Sequence, residues 1–225
     1  MGIDAHDQEV RRLKRSVDWA LREPLEPSEI VPILRRLLKM VPPEGEDALF
    51  AHRHLAELTV ETNPWQAALS ARKLTRHDPD DDQGWALLAL SLTMLSHYRA
   101  AVRAYRKALA LSPSNPWYAH NLGHMLDVGL DRPNEGLPLL SAAHRKEPQE
   151  TEIAASYAHA LGRVGKFEEA RDLLRRSIRD GGNRDQRALL AWLDEATSEC
   201  QTDSSPPGRR RSSSGGRRRR KRRDA

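Results

Sequence analysis

The chain has 225 residues, of which 38% are hydrophobic and only 5% aromatic, and its 37 basic and 32 acidic side chains give a net charge of +5. That length suits one or two domains with a continuous core. The single cysteine, Cys200, excludes an internal disulfide. The longest apolar run, Trp85–Leu95, is about half of the ~20 residues that span a bilayer, which excludes a membrane-spanning protein.

Residues 1–43 are predicted to form a helical hairpin. Val10, Leu13 and Val17 recur at helical spacing, and Pro24 ends that helix. A second helix is expected to begin at Pro27, because proline is favoured in a first helical turn. The opening residues are polar and show no apolar signal region. We expect this hairpin to cap the N-terminal side of the segment that follows.

Residues 48–182 repeat with a period close to 34. Four helix-stopping residues, Pro79, Pro113, Pro148 and Gly182, are spaced 34, 35 and 34 residues apart. A fixed period of this length is typical of one supersecondary unit whose faces are buried only by its neighbours. The predicted units are 48–81, 82–115, 116–150 and 151–183.

Each unit is predicted to be two helices. In the second unit, Trp85, Leu88 and Leu92 keep the spacing of a buried helical stripe, and a second stripe follows a break at residues 97–99. The one extra residue of the third unit falls between Leu126 and Gly136. That segment is rich in turn-forming residues, so it predicts a longer loop between intact helices.

These positions resemble the tetratricopeptide repeat (TPR) family. The second unit carries the pattern at Trp85, Leu88, Ala89, Leu92, Tyr98, Ala101, Tyr105, Ala108 and Pro113. The third and fourth units match at most of these columns, and the first is weaker, with His54 and Leu55 where a large–small pair is usual. The resemblance implies an all-α, right-handed superhelix of about four helix hairpins with capping helices at both ends. It also implies a concave groove that binds a protein or peptide partner, without catalysis.

The resemblance places the groove on the first helix of each unit. The residues that this register exposes there are His52, Arg53, Gln83, Leu87, Leu90, Met94, Trp117, His120, Asn121, His124, Asp127, Glu152, Ser156 and His159. Members of the family that bind chaperones hold a terminal carboxylate with a lysine, asparagine and arginine clamp. The matching positions here are Ala86, Leu90, Asn121, Glu152 and Ser156, of which only Asn121 fits. That particular function is therefore not expected.

Several histidines and one aspartate of the third and fourth units could serve as metal ligands. His120, His124 and Asp127 share one helical face, and with His159 of the next unit they could supply zinc ligands. Two histidines one turn apart are common by chance in a chain with nine, so we assign no metal and no cofactor. The sequence has no glycine-rich phosphate loop and no Gly-x-Ser-x-Gly elbow. We therefore assign no catalytic residues and expect a protein that is not an enzyme.

The C-terminal part changes character twice. Residues 184–199 are predicted to form a capping helix, and residues 200–225 a disordered, arginine-rich tail with almost no apolar side chains. Residues 201–225 hold ten of the 37 basic and two of the 32 acidic residues, a net charge of +8, which leaves −3 for residues 1–200. The composition of that folded part indicates no basic face. The candidate polyanion-binding residues are Arg209, Arg210, Arg211, Arg217, Arg218, Arg219, Arg220, Lys221, Arg222 and Arg223.

Two classes of function stay open. The first is a protein-interaction scaffold, monomeric and cytoplasmic in a bacterium, which holds a partner segment in the groove. The second is a nucleic-acid- or polyanion-associated protein that uses the tail, since polyarginine attracts phosphates in a salt-dependent way. The tail also fits an anionic-membrane tether, a solubilising segment, a segment that docks on the acidic body of its own chain or, in a eukaryote, a nuclear-import signal. Phosphorylation of Ser212 would reduce its charge.

Overall fold

A computed structural model describes the backbone of residues 2–23, 25–179, 181 and 184–203, and the side chains of residues 5–23, 25–179, 181 and 184–195. These residues form eleven α-helices and one π-helical turn, and no strand. The helices are α1 (Gly2–Ala20), α2 (Pro27–Met40), α3 (Glu46–Thr59), α4 (Pro64–His77), α5 (Asp82–Met94), α6 (Tyr98–Leu111), α7 (Pro116–His124), α8 (Pro133–Lys146), α9 (Thr151–Arg163), α10 (Phe167–Arg179) and α11 (Arg184–Asp203).

The helices pack as a right-handed superhelix of hairpins, which confirms the predicted fold class. The pairs α3–α4, α5–α6, α7–α8 and α9–α10 are the four hairpins, and α4–α5 and α8–α9 join successive units. The first helices also meet one another, α3 against α5 and α7 against α9. The array therefore has one layer of first helices and one layer of second helices. No helix in the described part of the chain has the length and apolar character needed to cross a bilayer.

Local sequence signals set where the helices begin. Asn63 caps α4 by accepting a hydrogen bond from the N–H of Gln66 at 3.1 Å, and Asn115 caps α7 by accepting from two backbone N–H groups. Pro64 and Pro116 follow these caps at the first helical position, where a missing N–H costs nothing. These starts depend on neighbouring residues alone, which is why the sequence marks them clearly.

Small residues let the helices of a hairpin approach closely. A Cβ atom built on Gly136 of α8 would lie 2.4 Å from the carbonyl oxygen of Gly123 in α7. In the other units alanine serves at the equivalent crossings, and Ala67, Ala101 and Ala170 are fully buried. The third hairpin is thus the one whose crossing requires glycine.

The extra residue of the third unit lies in a helix, and the prediction that it lengthens a loop is wrong. α5 and α9 each have 13 residues, whereas α7 has nine and continues into a five-residue π-helical turn, Met125–Gly129. The loop that follows has three residues, 130–132, as do loops 95–97 and 164–166. The wider π turn accommodates one more residue per turn, so the helix absorbs the insertion and the loop keeps its length.

The two ends of the array are closed by non-repeating helices. α2 begins at Pro27, as predicted, and its fully buried Leu34 and Leu37 belong to one apolar cluster with Leu55 of α3. α11 packs against α9 and α10 through the fully buried Leu193 and continues to Asp203, four residues past the predicted boundary. The predicted stop at Gly182, the side chain of Cys200 and all residues from 204 onward, including Ser212 and the ten tail cations, lie outside the described residues.

Candidate functional site

The layer of first helices contains an open cavity of about 330 Å³ between α3, α5 and α7. Eight residues line it: Glu57, Gln83, Ala86, Leu87, Leu90, Tyr105, Tyr118 and Asn121. The cavity therefore brings together four residues of the predicted groove, namely Gln83, Leu87, Leu90 and Asn121. Tyr105 comes from the second helix α6 and is almost completely buried.

Polar contacts between successive first helices hold the walls of this cavity. Arg53 of α3 donates a hydrogen bond to the Asp81 carboxylate at 2.8 Å and a longer one, 3.4 Å, to Gln83. The hydroxyl of Tyr118 in α7 donates to Asp82 at the start of α5 at 3.0 Å. Burial, reinforced by Asp82, raises the pKa of Tyr118 to about 12, so the phenol stays neutral and remains a donor.

Exposed apolar side chains continue along the layer from Leu90 at the cavity. Leu90 and Met94 of α5 and Trp117 of α7 are exposed. The ring of Trp117 packs edge-on against the ring of His120, with centroids 5.8 Å apart. Large apolar side chains left in water on one surface are a common feature of interaction sites.

His120, His124 and Ser156 form a polar cluster between α7 and α9. Nδ1 of the buried His120 lies 3.1 Å from the Asn121 amide oxygen, which only accepts, so this nitrogen donates. Nε2 of His120 then accepts from the Ser156 hydroxyl at 3.0 Å, and Nδ1 of His124 donates to the same oxygen at 3.4 Å. With these donors and acceptors, His120, His124 and Ser156 each have a hydrogen-bond partner. The Ser156 hydroxyl thereby links α7 to α9.

Burial keeps these histidines uncharged. It lowers the pKa of His120 to about 4, and the neighbouring His124 acts in the same direction. Burial also lowers the pKa of His124, against the opposing effect of the Asp127 carboxylate. At neutral pH the cluster therefore supplies neutral hydrogen-bonding groups and adds no positive charge to the groove.

Asp127, in the π-helical turn, is the centre of a second cluster. Its fully buried carboxylate accepts from Nδ1 of His159 at 2.7 Å and from Nη1 of Arg163 at 3.1 Å. The same Nη1 also donates to the Asp127 backbone carbonyl at 2.7 Å, and Nη2 of Arg163 donates to Asp131. The buried charge is therefore paired by two side chains from the next unit.

Sequence reasoning missed two members of this surface. The predicted groove does not include Arg163, although this residue lies one helical turn after His159 and so shares its face. Trp192 of α11 stacks on His159, with centroids 6.0 Å apart, and it belongs to a helix assigned only a capping role. The spacing of Arg163 was the available signal, whereas nothing in the local sequence points from Trp192 to His159.

Among the other predicted groove residues, His52 lies apart from these clusters, whereas Glu152 lies beside the first one: burial lowers the pKa of His124, and the charge of Glu152 is among the effects that oppose it. Nδ1 of His52 is 3.4 Å from the hydroxyl of Ser70 in α4, within the same hairpin. Burial, together with the charge of Lys73, lowers the pKa of His52. Glu152 is exposed in the first turn of α9.

The histidines and the aspartate that could serve as zinc ligands are engaged in these protein contacts. Asp127 is shared between His159 and Arg163, and His120 and His124 both bond to Ser156. Among the residues that the structure describes, no group of three or more histidine, cysteine, aspartate or glutamate side chains is placed to hold a metal ion.

Charge is divided between the two layers. The first helices, with the π-helical turn, contain two basic and six acidic residues, a net charge of −4. The second helices contain 13 basic and four acidic residues, a net charge of +9. The expectation that the folded part has no basic face is therefore wrong, because the composition sums the basic second helices with the acidic first helices and with the acidic segments outside the repeat helices.

The comparison with protein families matches residues 128–193 to the family described as tetratricopeptide repeat. A comparison with curated protein sequences finds no match. The family match and the shared fold described next confirm the resemblance seen in the sequence.

Several solved structures share the fold at low sequence identity. PilF of Pseudomonas aeruginosa superimposes with a TM-score of 0.67 at 19% identity, covering 88% of each chain. MamA of Desulfovibrio magneticus RS-1, residues 41 to the end, gives 0.63 at 17% identity, covering 71% of this chain and 90% of that one. TTC0263, a thermophilic TPR protein of Thermus thermophilus, gives 0.59 at 16% identity, covering 84% and 98%. At these identities the likeness concerns the fold.

Proposed function

Because this chain is a tetratricopeptide-repeat array, we propose that it is a non-catalytic scaffold that binds a segment of a protein partner on its layer of first helices. The observation that carries the proposal is the cavity of about 330 Å³ between α3, α5 and α7. This volume is at the lower end of the roughly 300–1,000 Å³ typical of ligand pockets. It suits one large side chain of a longer segment that continues along the layer.

The chemistry of the layer suggests what that segment contains. Leu87 and Leu90 give the cavity an apolar wall, and exposed Met94 extends it. The charged side chains near it are mostly acidic: Glu57 lines the cavity, and Asp82 lies beside Tyr118. We therefore expect an extended or helical segment that carries an apolar anchor flanked by lysine or arginine.

A displayed library of random peptides tests this directly. Peptides selected on the full chain should be enriched in a leucine, isoleucine, methionine or phenylalanine with lysine or arginine nearby. Leu90→Arg fills the cavity mouth with a charge and should abolish binding of the selected peptides. Leu21→Arg is the matched control, because Leu21 and Leu90 are both 37% exposed and Leu21 lies outside the array. It should bind as the unmodified chain does.

The possible outcomes separate the site from its chemistry. Selected peptides that bind Leu90→Arg as well as the unmodified chain would refute the proposed site. Selected peptides that are acidic, yet lost with Leu90→Arg, would keep the site and refute the expected charge of the partner. A cellular protein captured on the chain should then contain, in its own sequence, the pattern found in the selected peptides.

A second candidate function rests on the ten cations of residues 201–225. Such a segment would bind nucleic acid or another polyanion, with the repeats recruiting a further protein. Each neutralised phosphate releases counterions, so this binding should fall steeply between about 50 and 200 mM salt. The part of this binding that the ten cations carry should also disappear when residues 201–225 are deleted. Partner capture that survives this deletion and is lost with Leu90→Arg would favour the scaffold.

A further inference from the structure

The positive charge of the second helices is concentrated in α4 and α6. α4 contains Arg72, Lys73 and Arg76, and α6 contains Arg99, Arg103, Arg106 and Lys107. Neither helix contains an acidic residue. Helices on a protein surface usually mix both signs of charge, so two neighbouring helices with cations alone form a distinct electrostatic feature.

α4 and α6 both pack against α5 and run in the same direction, with contacts between them near both ends. Near their first turns, the ring of Trp65 in α4 packs edge-on against His97, the residue before α6, with centroids 5.9 Å apart. Near their last turns, Asp80 just after α4 lies 3.6 Å from the ammonium group of Lys107 in α6. Contacts at both ends hold the outward faces of the two helices next to each other.

The outward face carries cations that the protein does not neutralise. Arg106 pairs with Glu135 at 3.7 Å, and Lys107 with Asp80. Four other arginines are exposed and, among the described residues, have no ion pair and no side-chain hydrogen bond: Arg72, Arg76, Arg99 and Arg103. These four guanidinium groups remain available to an external anion.

Two exposed apolar side chains lie among these cations. Trp65, Leu69, Arg72 and Arg76 are separated by four, three and four residues, which places them on one face of α4. Trp65 and Leu69 are 59% and 57% exposed. In α6 the positions equivalent to Trp65 and Leu69, 34 residues later, are Arg99 and Arg103.

We propose that this surface, the α4–α6 face (Trp65, Leu69, Arg72, Arg76, Arg99 and Arg103), binds single-stranded nucleic acid. Unstacked bases pack on an aromatic ring, and arginines beside that ring hold the phosphates. His97 supports one edge of the indole and leaves most of the side chain in water. The face lies on the layer opposite the cavity, so it does not depend on the groove and both can be occupied together.

An anionic membrane is the other polyanion that such a face could meet. Helices that insert into an interface present a broad apolar face opposite their charges. Here Trp65 and Leu69 are the only large exposed apolar side chains on α4 and α6, and they share their face with the arginines. The small apolar area and the mixing of an indole with guanidinium groups favour a nucleic acid.

The test uses the full chain and a fluorescently labelled oligothymidylate of about 16 nucleotides, with affinity followed against salt concentration. Trp65→Ala should weaken binding about tenfold. The double change Arg99→Ala and Arg103→Ala should weaken binding and reduce the slope of log affinity against log salt by about 1.4, since each single-strand phosphate contributes about 0.7. Leu69→Glu, which adds a carboxylate to the face, should also weaken binding of the oligonucleotide.

Matched controls lie on the N-terminal hairpin. Trp19 is also 59% exposed, and Arg35 is an exposed arginine of α2, so Trp19→Ala should leave affinity unchanged and Arg35→Ala should leave the salt slope unchanged. Affinity unaffected by the Trp65, Leu69 and Arg99/Arg103 changes would overturn the proposal, because residues 201–225 would then carry all the binding. Loss of binding to phosphatidylserine vesicles in these variants, with the oligonucleotide bound normally, would also overturn it in favour of a membrane surface.

Discussion

The buried carboxylate of Asp127 accepts a hydrogen bond of 2.7 Å from Nδ1 of His159, which lies 32 residues later in the next unit. Asp127 reaches this position from a π-helical turn which, among the residues that the structure describes, occurs in the third unit alone. Arg163 donates to the same carboxylate at 3.1 Å. The irregularity in the repeat therefore creates a polar junction between the third and fourth units.

Replacing Asp127 tests that junction. Asp127→Ala leaves His159 and Arg163 without their buried acceptor, and hydrogen bonds to charged groups are worth about 1.5–3 kcal/mol each. Because Arg163 is partly exposed and can recover water, we expect the free energy of unfolding to fall by about 2–3 kcal/mol in urea denaturation. Asp131→Ala, which removes an exposed partner of the same arginine, should cost less than about 1 kcal/mol. Equal losses of stability in the two variants would contradict the conclusion that the buried Asp127 carboxylate stabilises the junction between the third and fourth units.

The buried His120 should make stability depend on pH. Its pKa is about 4 in the folded protein against an ordinary value of 6.5, so below pH 6.5 the unfolded chain binds the proton more readily. The free energy of unfolding should be at its full value above pH 6.5 and fall as pH decreases toward 4, by at most about 3 kcal/mol from this residue. Burial lowers the pKa of His52, His124 and His144 as well, and they act in the same direction.

Thermal melts at several pH values separate His120 from the other titrating groups. His120→Gln keeps a neutral amide that can bond to Ser156 but removes the ring that titrates. Its melting temperature should fall less between pH 7 and pH 5 than that of the unmodified protein. His77→Gln, a change of an exposed histidine at the end of α4, is the control and should follow the unmodified protein. Parallel curves for all three proteins would show that His120 does not contribute.

The contact between α7 and α8 should not accept a methyl group at Gly136. The new Cβ atom would lie 2.4 Å from the carbonyl oxygen of Gly123, a backbone atom that cannot move aside alone. Gly136→Ala should therefore lower the free energy of unfolding by about 1–3 kcal/mol, despite the better helix propensity of alanine. Gly45→Ala, whose nearest neighbour would be 3.4 Å away, should change it by less than about 1 kcal/mol. Denaturant melts of both variants provide the comparison.

α11 should behave as part of the array rather than as an appended helix. Leu193 is fully buried and clusters with Leu161 and Leu174, so Leu193→Ala should cost about 2–5 kcal/mol. Faster hydrogen exchange should appear in α9, α10 and α11 before it appears in α3 or α4, because each unit contacts only its neighbours. Leu69→Ala, the same substitution at an exposed position, should leave both stability and exchange nearly unchanged. Uniform exchange along the array would refute this local coupling.

Much of the fold could be predicted from particular short-range signals. The start of α2 at Pro27 is confirmed, and so are the helix pairs and the fold class. The groove was less accessible to sequence reasoning. Gln83, Leu87, Leu90 and Asn121 do meet at one cavity, but Arg53 is paired with Asp81 and His52 turns toward Ser70 within its own hairpin. Register identifies which helix carries a residue, and it does not reveal which neighbour a long side chain reaches.

The sequence by itself determined the period near 34, the two helices of each unit and the caps at their starts, because helix hydrogen bonds and caps depend on residues a few positions apart. It also located the extra residue after Leu126, within a few positions. Only the tertiary structure decided that this residue enters a π-helical turn and turns Asp127 toward Arg163. The same is true of the division of charge between layers. Both depend on contacts between units about 34 residues apart, where the packing of whole helices selects the partners.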